Sequence, residues 1–107
     1  MQNAKQFKCF LVTRNNPRIT AEEQLALFRR AFRVEYAAVQ LEKAPETGTL
    51  HLQGMFKTEI SYRLSSVISR LPSCHITGVP AKLKDCIRAF TYCTKEQTRV
   101  EAGVVYG

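Results

Sequence analysis

Two stretches of alternating apolar and polar residues, separated by one short loop, constrain this chain more than any other feature. Over residues 33–42, Ala37, Val39 and Leu41 alternate with Tyr36, Ala38, Gln40 and Glu42; over residues 50–57, Leu50, Leu52 and Phe56 alternate with His51 and Gln53. A period of two belongs to a strand with one buried face. The loop between them, residues 43–49, carries Pro45 and Gly48 and suits an antiparallel hairpin.

Around this hairpin the pattern changes period in a fixed order. Residues 7–13 (FKCFLVT) form an apolar run stopped by Asn15-Asn16-Pro17, as a buried strand would be. Thr20 with Glu23 three residues later makes a capping box, and Leu25, Phe28 and Phe32 follow at helical spacing. A second helix is expected over residues 61–70, with Leu64, Val67, Ile68 and Leu71 on one side and Pro72 as its stop. Residues 74–79 read as a strand, 82–95 as a third helix and 101–106 as a last strand. The expected class is therefore α+β. It is a split β-α-β antiparallel sheet of ferredoxin or RRM type, with helices on one face and an added helix that carries Tyr92. With 107 residues and no repeat, low-complexity tract or linker, residues 1–107 are expected to be one domain.

Charge narrows the partners. Lys and Arg number 16 against 9 Asp and Glu, a net +7, which favours phosphate-bearing ligands. The first residues are polar and basic, and no apolar run is long enough for a signal peptide or a membrane span, so an intracellular protein with no membrane partner is expected. Cys9, Cys74, Cys86 and Cys93 show no C-x-x-C pair. Of the two readings, a structural zinc site and small buried side chains, the second is preferred.

The hairpin loop is spanned most simply if Glu42 faces His51, which also sets Gln40 against Gln53 and Leu41 against Leu52. A carboxylate, an imidazole and an amide oxygen then share one face and suit a hard or borderline cation such as Mg²⁺ or Mn²⁺. The same face would suit an RNA-binding platform, but of the aromatic residues such platforms use, only Tyr36 is available. On the third helix Leu83, Cys86, Ile87, Phe90 and Cys93 form an apolar stripe. At about 100° per residue, Tyr92 falls about 180° from Leu83, with Arg88 and Lys95 near it. A phenol becomes a nucleophile near neutral pH where positive charge stabilises the phenolate; Arg88, Lys95 and a metal would supply that charge. A surface tyrosine or a small interface is the alternative reading of the same geometry.

Three motifs in order carry a resemblance: Phe10-Leu11-Val12-Thr13-Arg14-Asn15-Asn16-Pro17, His51-Leu52-Gln53-Gly54 and Tyr92-Cys93-Thr94-Lys95-Glu96. Together they resemble motifs I, II and III of the HUH-superfamily Rep endonucleases of small circular single-stranded DNA viruses, the circovirus-like branch in particular. The resemblance implies a rolling-circle replication initiator that nicks and rejoins single-stranded DNA at an origin stem-loop. Tyr92 would be the nucleophile and would form a covalent 5′-phosphotyrosine link. It further implies His51 and Gln53 as the metal-binding pair, Glu42 as the acidic ligand, Lys95 as an assistant at the phosphate, and Mn²⁺ or Mg²⁺ as the cofactor. Thr13, Arg14, Asn15 and Asn16 would hold DNA, and Arg88 is a further candidate contact. The second histidine of the name-giving motif is Gln53 here, a weaker ligand. Tyr106 lies outside motif III and is read as structural.

No G-x-x-x-x-G-K-[ST] loop occurs in the chain, so a helicase domain of the kind found in related viral proteins is expected to lie outside it. The resemblance also implies a host-nuclear setting if the virus is eukaryotic, a monomeric domain, and assembly through other parts of the full-length protein. Two further classes compete: a non-catalytic single-stranded nucleic-acid-binding module, and a protein-interaction domain whose basic surface is incidental.

Overall fold

A computed structural model describes residues 5–80 and 82–107. Eight elements follow in order: β1 (Gln6–Asn15), α1 (Ala21–Ala31), β2 (Val34–Lys43), β3 (Leu50–Arg63), α2 (Leu64–Arg70), β4 (His75–Val79), α3 (Leu83–Cys93) and β5 (Val104–Tyr106). The fold is α+β. One five-stranded antiparallel sheet has the order β4-β1-β3-β2-β5, so β3 lies between β1 and β2, the two strands that α1 connects. Among the described residues no helix is long and apolar enough to cross a membrane.

The expected capping box forms: Thr20 Oγ1 accepts from the Glu23 amide at 3.1 Å, and Glu23 Oε1 accepts from the Thr20 amide at 3.0 Å. The β2–β3 register is the expected one, with Glu42 opposite His51, Leu41 opposite Leu52 and Gln40 opposite Gln53. Element ends shift by one to three residues from those expected, except that β3, expected to end at residue 57, runs on to Arg63. Residues 61–63 continue β3 instead of opening α2, because after a bulge between Phe7 and Cys9 the strand pairs again with β1 through Tyr62–Phe7 and Arg63–Gln6. Tyr62 then packs edge-on against Phe32, with ring centroids 5.0 Å apart, and its hydroxyl accepts from the Arg33 amide at 3.0 Å. These partners are distant in sequence and outweigh the local helical spacing.

The sheet is covered on both faces. On one, α1 and α2 enclose Phe10, Phe28, Phe32, Phe56, Val12 and Leu52. Phe56 is the hub: the centroids of Phe10, Phe28 and Phe32 lie 5.1, 4.6 and 5.1 Å from its own. Gly54 lets Phe28 lie close to the sheet; a Cβ there would meet Phe28 Cε2 at 3.3 Å and the Ala38 carbonyl oxygen at 3.2 Å. On the other face, Cys86, Ala89 and Cys93 of α3 pack on Cys9, Ala38 and Met55.

The buried stripe of α3 is not the expected one. Leu83 and Ile87 are 76% and 53% exposed, while Ala89 is buried between Cys86 and Cys93. The helix is thus turned by roughly 60° from the orientation that its larger apolar residues suggest. Small side chains on both α3 and the sheet permit a close approach that leucine and isoleucine would prevent. The turn leaves Tyr92 at the flank of the interface, roughly 90° from its centre, instead of opposite it.

Candidate active site

Strand pairing sets two rows of side chains across the face under α3. Asn15, His51 and Glu42 occupy neighbouring positions on β1, β3 and β2; Thr13, Gln53 and Gln40 form the next row, with His75 of β4 beyond Thr13. The β2–β3 half of each row was legible in the hairpin. Thr13 and His75 join through β1 and β4, whose pairing no local pattern reveals.

Glu42 is the centre of the cluster. It is 2% exposed, and its two carboxylate oxygens are surrounded by donors. Oε2 accepts from Gln40 Nε2 at 2.7 Å; Oε1 accepts from Lys95 Nζ at 3.2 Å and Thr98 Oγ1 at 3.1 Å, and His51 Nε2 lies 3.2 Å from it. Burial on its own raises the carboxyl pKa, but the hydrogen bonds from Gln40, Lys95 and Thr98 and the Lys95 charge outweigh it, and the net shift is downward. Glu42 is therefore a buried anion at neutral pH.

The segment after α3 holds these donors in place. Gln40 Nε2 also donates to the Lys95 carbonyl at 2.8 Å, the Lys43 amide to the Thr98 carbonyl at 3.0 Å, and the Val100 amide to the Leu41 carbonyl at 2.9 Å. Thr98 was not anticipated as a site residue; it lies in an irregular stretch whose docking along β2 has no periodic signal. Lys95 also faces Tyr92, with Nζ 3.7 Å from the ring centroid. This cation–π contact joins the end of α3 to the carboxylate. Tyr92 itself is 49% exposed.

Gln53 is held from two sides. Its Nε2 donates to the Val12 carbonyl at 3.1 Å, and its Oε1 accepts from Thr13 Oγ1 at 3.1 Å. The Cys93 thiol packs beside it, and burial pushes that thiol up to about 12. Three of the four cysteines, Cys9, Cys86 and Cys93, are buried side chains of the second core cluster, as the preferred reading of them expected.

The other candidate residues at the end of β1 separate. Asn15 is exposed at the end of β1, opposite His51. Asn16 adopts a positive φ of 49° and its amide donates to the Leu50 carbonyl at 2.9 Å, so it turns the chain away from the sheet. Arg14 has the strand parity of Val12 and lies on the α1 side, where its Nε donates to the buried Gln24 Oε1 at 2.6 Å. Arg88 is exposed and lines a groove together with Tyr92.

Among the described residues no group of three or more His, Cys, Asp or Glu side chains is arranged to hold a metal. The Glu42–His51 pair supplies two such residues, and Gln53, in the next row, carries an amide oxygen that accepts from Thr13. A carboxylate, an imidazole and an amide fit a borderline-hard cation. The competitor is Lys95, whose ammonium occupies the same Glu42 oxygen and would have to yield to an ion bound there. A scan against protein-family models gave no match, and a search among curated proteins gave none.

Proposed function

We propose that this chain is the origin-nicking endonuclease domain of a rolling-circle replication initiator, built on a sheet of ferredoxin or RRM type. It would cleave and rejoin single-stranded DNA through Tyr92. The observation that carries the reading is the position of Lys95 Nζ, 3.2 Å from Glu42 Oε1 and 3.7 Å from the Tyr92 ring centroid. One ammonium thus joins the tyrosine to the cluster of Glu42, His51 and Gln53, although these residues come from three separate stretches of sequence.

In this reading Tyr92 Oη attacks the phosphorus in line. The bond to the 3′ oxygen breaks as the tyrosyl ester forms, leaving a 3′ hydroxyl and a 5′-phosphotyrosine link. The link retains the energy of the cleaved bond, so the reverse attack rejoins a strand without ATP. Lys95 favours the phenolate and the developing phosphate charge. Glu42, His51 and Gln53 would hold Mn²⁺ or Mg²⁺, which when bound supplies charge against a non-bridging phosphate oxygen. Asn15 and Arg88 are exposed near these groups and are the proposed DNA contacts. Thr13 acts by fixing Gln53, and Arg14, bonded to Gln24, stands farther from the chemistry than the motif alone implies. The origin stem-loop as substrate and a monomeric domain belong to the same proposal.

One observation favours the non-catalytic binding module: Glu42 is satisfied by protein donors alone and needs no ion. The two readings separate in one experiment. Labelled single-stranded hairpin oligonucleotides are incubated with the wild type and Tyr92→Phe in Mn²⁺, then resolved on a denaturing gel. A covalent adduct that requires Mn²⁺ and is absent from the variant is the expected result. Equal DNA binding by both proteins, with no adduct across a diverse oligonucleotide pool, would favour the binding module.

A further inference from the structure

One oxygen of Glu42 is approached by more groups than it has lone pairs. Lys95 Nζ at 3.2 Å, Thr98 Oγ1 at 3.1 Å and His51 Nε2 at 3.2 Å surround Oε1, whereas Oε2 accepts from Gln40. Of the three around Oε1, Lys95 is the one that can leave. Thr98 is tied along β2, its carbonyl accepting from the Lys43 amide at 3.0 Å, and His51 projects from β3, the middle strand of the sheet, directly opposite Glu42. The Lys95 backbone is also held, its carbonyl accepting from Gln40 Nε2 at 2.8 Å. Its ammonium, however, ends a chain of four methylenes, and the side chain is 23% exposed. That ammonium has a second resting place on the face of the Tyr92 ring, 3.7 Å from Nζ. Rotation about side-chain bonds is enough to change partners.

We propose that Lys95 is the resident cation of the Glu42 site in the ion-free protein, and that a divalent ion entering there displaces the ammonium from Glu42 onto Tyr92. This displacement rests on the ion site of the nuclease reading and adds a coupling to it. Loading the ion and bringing positive charge to the nucleophile become one event.

Two physical requirements lead to it. Glu42 is 2% exposed, and a buried carboxylate with no counter-charge is costly, so the ion-free site needs a cation of the chain's own. Lys95 is the lysine that meets it. An ammonium and a divalent ion repel each other and cannot share Oε1, so what Lys95 contributes at Glu42 is subtracted from the affinity for the ion. A residue that only assisted at the phosphate would stand clear of the ion site, and one that only stabilised Glu42 would have no second partner on the tyrosine.

The displacement makes opposite demands on one variant. Mn²⁺ binding is measured by isothermal titration calorimetry for the wild type, Lys95→Met and Lys95→Arg. Lys95→Met should bind Mn²⁺ about fivefold or more tightly than the wild type, the size of an ordinary coupling between two ligands. Lys95→Arg keeps the charge and should stay close to the wild type. In the adduct assay at saturating Mn²⁺ the order reverses, and Lys95→Met should react about tenfold or more slowly. The wild type alone supplies a second measurement that does not depend on the variant's folding. The ¹³C-labelled protein is titrated with Mg²⁺ and its nuclear Overhauser cross-peaks are followed. As the His51 ring signals shift, cross-peaks from the Lys95 ε-methylene to the Thr98 methyl, its neighbour at Oε1, should be lost, and those to the Tyr92 ring should persist.

Equal or weaker Mn²⁺ binding by Lys95→Met, or Lys95 cross-peaks that stay unchanged while His51 responds to Mg²⁺, would overturn the displacement and leave the nuclease reading standing. No response of His51 and no heat of binding in any of the proteins would overturn both. Tighter binding by Lys95→Met with no adduct from the wild type on any oligonucleotide would support the displacement and overturn the nuclease reading.

Discussion

At the scale of single residues, the site is organised by one buried charge. Glu42 is stabilised by donors from β2, β3 and the segment after α3, and Lys95 is the one that carries a full permanent charge. Lys95→Met removes that charge and leaves the carboxylate buried, so a loss of about 1–3 kcal/mol in urea unfolding is expected. Adding Glu42→Gln should recover part of the loss, since the amide no longer needs the ammonium, and the double variant should cost less than the sum of the single ones. The sign of the pH effect follows from the depressed carboxyl pKa. Glu42 contributes stability above its ordinary value of 4.5, and that contribution is lost as pH falls through its lower folded value. The wild type should therefore lose more stability on acidification than Glu42→Gln. Parallel acid limbs for the two proteins would mean that the carboxylate is not held in this way in solution.

At the scale of elements, the hairpin register was legible to the residue because period-two alternation on both strands and a short loop permit one pairing; a slip by one would have set Leu52 opposite Glu42. The capping box was legible for a similar reason, being a contact between residues three apart. Sequence pattern failed where long-range packing decides. Residues 61–63, read as the start of the second helix, extend β3, and α3 buries Ala89 in place of Leu83 and Ile87. A hydrophobic stripe says which residues are apolar, but the helix settles on those small enough to let it reach the sheet. Leu83→Gln and Ile87→Lys should accordingly change stability by less than about 0.5 kcal/mol, the usual range for exposed positions. Ala89→Leu, which overfills the contact with Met55 and Ala38, should cost about 1–3 kcal/mol. Thermal unfolding of the three variants decides between the two orientations of the helix, and the reverse ranking would restore the one centred near Leu83.

At the scale of the whole molecule, the attachment of α3 to the sheet sets where Tyr92 stands, and thiols line that attachment. Cys9 on β1 and Cys93 on α3 are both pushed from the ordinary 9.0 to about 12 by burial, so neither ionises in the folded protein until the solution is strongly alkaline. In the unfolded chain both lose their protons near 9. The folded state then binds more protons than the unfolded one as pH rises from about 9 toward 12, and linkage requires stability to fall across that window. Lysines and tyrosines also titrate there, so the absolute slope is a composite. The difference between the wild type and Cys93→Ala isolates one thiol, because the other groups are common to both. Unfolding free energy measured by urea at several pH values from about 8 to 10 should decline less steeply for Cys93→Ala, by up to one proton's worth of slope. Its stability near neutral pH should fall only by the cost of a lost sulfur. If the two alkaline limbs ran parallel, Cys93 would be accessible to water in the folded state. α3 would then not be closed on the sheet, and the contact of Lys95 with both Tyr92 and Glu42 would lose its structural support.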